Sequence, residues 1–281
     1  MLATRTGCEP QWLVCPPGRD CDSCSPSISV DMSGWWAGQA GRRAFTTSIP
    51  ALTDTQLAEA PQEALETDYA SEHMKRILKY PDYFNVAKLF TVEDLFNARV
   101  HLGHTDGSLD ERMKQFVFGS RLGHLIIDLD QTAELLRNAL NFTAHIAFRG
   151  GIILFIGRTP QHQLLIEDTA KECGEYAHTR FWQGGVLTNS TTQFGCVTRL
   201  PDLIIALHTM NNVIDQHTAI RDAAKMLIPT VGIVDTNCNP NMVTYPVPGN
   251  DDSAISVRLY CDLFKNAILK GKEKRKELLN L

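Results

Sequence analysis

Apolar residues follow no sustained period through the first 67 positions and become regularly spaced from Asp68 onward. The spacing predicts a helix over Tyr69 to Lys79, ending ahead of Pro81. A second helix is expected from Val92 to about Val100, behind a Thr91-x-x-Asp94 capping box. Short apolar runs then occur at His124 to Leu129, Ile152 to Gly157, Leu203 to Leu207 and Val231 to Val234, three of them rich in β-branched residues, as strands require. Helical stretches separate several of these runs. Gln131 to Phe148 takes Asp130 as its N-cap, and Pro160 to Cys173 takes Thr159 as N-cap with Pro160 at the first helical position. Further helices are expected near Gln216 to Met226, stopping before Pro229, and over about Ser253 to Lys270, while His178 to Trp182 supplies a short strand. Alternation of this kind predicts βαβ units around a parallel sheet buried on both faces. The fold class is α/β, doubly wound, in one domain spanning residues 68–281.

Composition changes the picture mainly at the N-terminus. Residues 1–67 hold Pro16-Pro17-Gly18, Ser25-Pro26-Ser27, Gly34, Gly38 and Gly41, which reads as a poorly ordered extension or a processed leader. Arg5, Arg19, Arg42 and Arg43 are balanced there by Glu9, Asp20, Asp22 and Asp31, unlike the acid-poor composition of a typical mitochondrial leader. Four of the eight cysteines, Cys8, Cys15, Cys21 and Cys24, fall in this segment without the paired close spacing of a zinc site, and the other four read as buried thiols. No apolar run reaches the roughly 18 residues of a membrane span. The formal charge of −5 gives no global electrostatic attraction to nucleic acid, although a local basic face remains compatible with it.

The turns expected beyond the strand ends lack G-x-G-x-x-G and G-x-x-x-x-G-K-[ST], so the two commonest phosphate cradles are missing and no cofactor is expected. Asp128, Asp130 and Asp235 at strand ends have the chemistry for a magnesium ion, but capping and turn-bracing account for them more simply. His101 and His104 form one H-x-x-H pair just past a helix end, with Gly103 as its C-cap and no acidic third ligand beside it, so no metal site is expected. The strings Ile233 to Pro240 and Pro246 to Asp252 concentrate Asn, Asp, Gly and Pro at the mouth of a strand, which predicts rigid surface loops built for binding.

Taken in order, several blocks resemble one family. His101-x-Gly103-His104, Phe118-Gly119-Ser120-Arg121, Ile126-Ile127-Asp128-Leu129, Gly151 to Gly157, Gly184 to Asn189, Pro201-Asp202-Leu203, Ile233 to Asn237 and Pro248 to Asp252 are similar to the second small-subunit ribosomal protein family, over about Phe84 to Lys276. The chain most resembles the mitochondrial branch, in which a leader precedes the domain. The resemblance implies a flavodoxin-like α/β domain that is a structural part of the mitochondrial small ribosomal subunit. Its partners would be small-subunit rRNA and neighbouring subunit proteins, with no membrane, no small-molecule substrate and no catalysis.

The RNA contacts so implied are His101, His104, Arg112, Lys114 and Arg121 in one block, and Arg180, Thr188 and Asn189 in another. Asp235, Asn237, Asn250 and Asp251 read instead as loop architecture or protein contacts, because carboxylates repel phosphate. The basic run containing Lys272, Lys274 and Arg275 serves equally as an RNA contact or as a solvated helix end favoured by the helix dipole. Three departures from the family pattern stand out. The connection from Asn189 to Pro201 is short where bacterial relatives carry a helical hairpin, the segment after His104 is acidic, and Arg180 to Gly185 is one residue longer than Arg-Trp-x-Gly-Gly. Two other readings compete: a flavodoxin-like enzyme acting on a nucleotide or phosphometabolite with a metal at Asp128 or Asp235, and a protein-interaction module without RNA contacts.

Overall fold

A computed structural model describes residues 77–195, 198–212 and 215–279. The extension at residues 1–67, its four cysteines and nearly all of the helix expected over Tyr69 to Lys79 lie outside the described residues. The first helix, α1 (Val92–Asn97), starts as the sequence predicts: the Thr91 side chain accepts from Asp94 N, and Asp94 in return accepts from Thr91 N. It ends before Val100 because Arg99 adopts a left-handed φ of 61° and turns the chain.

Three short strands follow, β1 (Leu102–Thr105), β2 (Val117–Arg121) and β3 (His124–Ile127), and form an antiparallel sheet in the order β1-β3-β2. The apolar run at His124 to Leu129 therefore belongs to this small sheet and not to the parallel one. A two-residue turn with positive φ at Leu122 and Gly123 closes the β2–β3 hairpin, which is the geometry that matches strand twist. Gly103 sits inside β1 and is not a helix C-cap. A β-carbon there would lie 2.5 Å from Thr236 Cγ2, so the glycine serves a close approach.

The main sheet is built from β4 (Ile153–Ile156), β5 (Tyr176–His178), β6 (Leu203–Ala206), β7 (Thr230–Val234) and β8 (Tyr245–Pro248). All its pairings are parallel, and its order is β5-β4-β6-β7-β8. That is the flavodoxin-like arrangement, in which the order reverses between the first and third strands. Every residue of β6 and β7 is buried, which explains their continuous apolar character. The expected strand at His178 to Trp182 lies slightly earlier, as β5.

Helices cover both faces. On one side lie α2 (Leu129–Arg149), α3 (Gln163–Cys173) and α6 (Ala254–Leu279), packed on Ile153, Phe155, Leu203, Ile205, Val231 and Ile233. The alternate residues Ile156 and Ile204 face Ala219 and Ala223 of α5 (Thr218–Lys225), together with Trp182 and Leu187. A short helix, α4 (Ser190–Phe194), occupies the connection where bacterial relatives were expected to carry a hairpin.

Two helix starts differ from expectation, and a third, expected without a named cap, is supplied with one. Asp128, not Asp130, caps α2 by accepting from Asp130 N. Pro160 opens a 3-10 turn (Pro160–His162) ahead of α3, and the Thr159 side chain makes no capping bond. His217 caps α5, its Nδ1 accepting from Ala219 N. Helix α6 continues past Lys270 to Leu279, because its buried side extends through Ile268 to Gly271 and lies along the Ala139, Ala144, Ala147 stripe of α2.

Candidate functional site

Three of the sequence blocks, far apart in the chain, meet at His104. Strand β1 carries it against the end of β7, where His104 N donates to Thr236 Oγ1 at 3.0 Å. Its imidazole lies between two carboxylates, with Nδ1 3.0 Å from Asp235 Oδ2 and Nε2 3.4 Å from Asp252 Oδ2. The hydrogen bond to Asp235 raises the His104 pKa to about 9, against the opposing effect of burial, with smaller help from the charges of Asp252 and Asp251. His104 is therefore an imidazolium at neutral pH. Asp235 is buried and its Oδ1 also accepts from Thr236 N. Burial and the neighbouring Asp235 push the buried Asp251 carboxyl well above the usual carboxylate range.

Asn250 completes this clasp. Its Nδ2 donates to Arg99 O, its backbone N donates to Val100 O, and its Oδ1 accepts from Asp252 N and Ser253 N. The expectation of rigid surface loops is corrected here: Asp235, Thr236, Asn250 and Asp251 are all buried, and their bonds tie β1 and the end of α1 to the main sheet. Sequence reading missed Thr236 and Asp252 as members of this cluster, although both stand inside the quoted blocks. Donor atoms of His104, Asp235 and Asp252 lie within 4.8 Å of one another, a spacing a divalent cation could use. In the protonated state both His104 nitrogens are already taken by carboxylates, and an ion would have to displace that proton.

The other candidates occupy distinct positions. His101 stacks on Phe96 with ring centroids 4.5 Å apart. Arg112, Lys114 and Arg121 are exposed on the 3-10 turn Glu111–Phe116 and the adjacent hairpin, with Lys114 3.7 Å from Glu111. Solvent screens that exposed pair, which is worth little. Arg180, Thr188 and Asn189 are exposed on the loop between β5 and α4, where Asn189 Oδ1 accepts from Thr192 Oγ1. Asn237 lies beside Cys238, whose thiol donates to Asn237 Oδ1.

The basic run makes several contacts within the fold. Lys272 Nζ donates to Cys173 O at 2.6 Å at the end of α3 and pairs with Glu175, while Lys274 pairs with Glu277. Arg275 lies over Gly150, the left-handed C-cap of α2, where a β-carbon would overlap its Nη1. Asp128 and Asp235, the carboxylates of the enzyme reading, are used separately. Asp128 Oδ2 accepts from Gln131 Nε2 while its Oδ1 caps α2, and Asp235 holds His104.

A family profile described as ribosomal protein S2 matches residues 95–200 and 193–271, so it spans the clasp, the hairpin and both faces of the sheet. The chain belongs to the ribosomal protein S2 family. Among S2 relatives, the small ribosomal subunit protein uS2m of Bos taurus is 56% identical over 241 residues, covering 86% of this chain and 80% of that protein. The small ribosomal subunit protein uS2 of Phenylobacterium zucineum is 34% identical over 224 residues, covering 65% of this chain and 75% of its own length. That of Rickettsia felis is 33% identical over 226 residues, with the same coverages of 65% and 75%. The two matched S2 segments meet at residues 193–200, where the short connection falls.

Proposed function

We propose that this chain is a structural constituent of the small subunit of the mitochondrial ribosome, located in the matrix, where it holds small-subunit rRNA and neighbouring subunit proteins and catalyses nothing itself. The observation that carries this reading is 56% identity across 86% of the chain to a bovine protein named small ribosomal subunit protein uS2m. The physical arrangement is consistent with a positional role. A sheet buried on both faces and a clasp of charged groups hold the small antiparallel sheet, which carries Arg121 and is preceded at β2 by the 3-10 turn that carries Arg112 and Lys114. Phosphate contacts fix register and orientation on a folded RNA, and arginine and lysine on rigid elements suit that task.

In this reading Arg112, Lys114, Arg121, Arg180, Thr188 and Asn189 touch RNA directly. His101, His104, Lys272 and Arg275 support the surface through the contacts already described, with Lys274 at the exposed end of α6. Reversing charge at three exposed positions together, Arg112→Glu, Lys114→Glu and Arg121→Glu, lowers incorporation of tagged protein into small subunits on the order of tenfold or more, because each lost phosphate contact also removes its counterion release. Thermal unfolding stays near that of the unaltered protein, since none of the three is buried. Unchanged incorporation of the triple variant would remove this face from the RNA interface.

A further inference from the structure

The carboxyl ends of β4 and β5 carry a group of residues around the segment Arg180 to Gly185, which is one residue longer than the family pattern. Ile156 and His178 are paired in register, and Gly157 N donates to His178 O. Two residues beyond each pair member in the sequence stand Arg158 and Arg180, in the loops that leave these adjacent strand ends. The Arg158 guanidinium carbon lies 5.5 Å from the centroid of Phe181, a cation–π distance, and the Phe181 ring is 69% exposed. Beneath them His178 and His217 pack edge-on against buried Trp182, with centroids 4.9 and 6.1 Å away, and Trp182 Nε1 donates to Asp222.

Two observations mark this place as built for a ligand. His217 is 1% exposed, and its Nδ1 accepts from Ala219 N, which leaves the proton of the neutral ring on Nε2, where it has no partner. An unpartnered buried donor seeks an acceptor oxygen. The charge acting on His178 comes from Arg180, and those acting on His217 come from His178 and Arg158, while Arg180 also acts on the Glu167 carboxylate. Trp182 packs with Ile156 of β4 and Ile204 of β6, the two strands between which the order reverses, while Arg158 and Phe181 follow the ends of β4 and β5.

We propose that Arg158, Arg180 and Phe181, near the buried and unpartnered His217, form a site for one unpaired RNA nucleotide, with the base stacked on Phe181 and the phosphate held by the two arginines. An exposed aromatic ring backed by a guanidinium is a platform for a splayed base, and stacking of this kind accepts any base. The open face favours a nucleotide held in place by the rest of its chain over a free one. This assignment rests on the ribosomal reading only in taking RNA as the source of the nucleotide.

The test uses full-length tagged protein with Phe181→p-benzoylphenylalanine, isolated small subunits and near-ultraviolet irradiation, with adduct mass read after nuclease and protease digestion. The expected result is an rRNA adduct at position 181 whose yield falls on the order of tenfold in an Arg158→Ala background, with the thermal midpoint unchanged. In a parallel arm, free AMP is titrated against the purified protein by tryptophan fluorescence. A subunit-bound protein that yields a protein adduct only, or none, overturns the site and leaves the ribosomal reading intact. A protein that never enters subunits sinks the ribosomal reading instead. In that event saturable AMP binding lost in Arg158→Ala keeps the site with a free nucleotide as its source, and absence of AMP binding overturns the site as well.

Discussion

Replacing His104 by alanine lowers the stability of the domain by about 3 kcal/mol, measured by urea unfolding. The figure sits at the low end for a broken buried pair because the His104 side chain is 23% exposed, whereas that of Asp235 is only 2% exposed. Removing the imidazolium leaves the Asp235 carboxylate facing the Asp251 carboxyl with no counter-charge. The double variant His104→Ala, Asp235→Asn therefore recovers part of the loss, since the amide carries no charge to neutralise, and a double-mutant cycle reads the coupling. The pH dependence has a definite sign. The folded-state pKa of His104 is raised from 6.5 to about 9, so its contribution is full below pH 6.5 and is lost as pH rises through 9. Burial instead pushes His208 and His217 down to about 4, so their contribution is present above pH 6.5 and is lost as pH falls towards 4. The decline between pH 6.5 and 9 disappears in the His104 variant, while the acid decline remains, as does the loss above pH 9 from the buried Cys173, Cys238 and Cys261 thiols, which burial pushes up to about 11, 12 and 12. A decline between pH 6.5 and 9 that survives His104→Ala would mean the clasp is not held by that proton.

Gly271→Ala is the second substitution with a large expected effect, on the order of 1–3 kcal/mol of destabilisation and a fall of several degrees in Tm by circular dichroism. In an isolated helix the same change would be worth up to about 1 kcal/mol of stabilisation, so the sign is informative. Position 271 faces α2 at its closest approach to α6. A β-carbon there would lie 2.5 Å from Ala144 O, 3.0 Å from Ala147 Cβ and 3.2 Å from Phe148 N. Backbone and a bare methyl cannot step aside as a long side chain can, so the two helices must separate. A rise in Tm would show that they are free to do so.

Legibility in the sequence followed how local each signal was. Strands β6 and β7 could be read directly because central parallel strands are continuous apolar runs. Strand β8 was hidden because Pro246 and Pro248 read as turn residues, although an edge strand tolerates proline. The apolar run of β3 resembles a parallel strand by itself, and only its hairpin partner β2 shows otherwise. Gly271 carries no signal of its own in the sequence, because a helix contact is invisible until the facing Ala144 and Ala147 are known. The clasp had the least local signal. His104 and Asp235 each stood in a recognisable block, yet burial and the shared proton arise only when β1 is laid beside the end of β7. Arg158 and Phe181 come from two loops, and although Phe181 lies in the lengthened Arg180 to Gly185 segment, nothing in the sequence pairs the two residues.

The central claim is that this S2-family chain works as part of a ribonucleoprotein particle, and sedimentation of tagged protein from magnesium-containing mitochondrial lysate tests it most directly, with a parallel sample treated with RNase. Comigration with small-subunit RNA that is lost or shifted by RNase is the predicted result. A slowly sedimenting peak indifferent to RNase, despite import into mitochondria, would contradict the account and point to a fold reused for protein contacts alone.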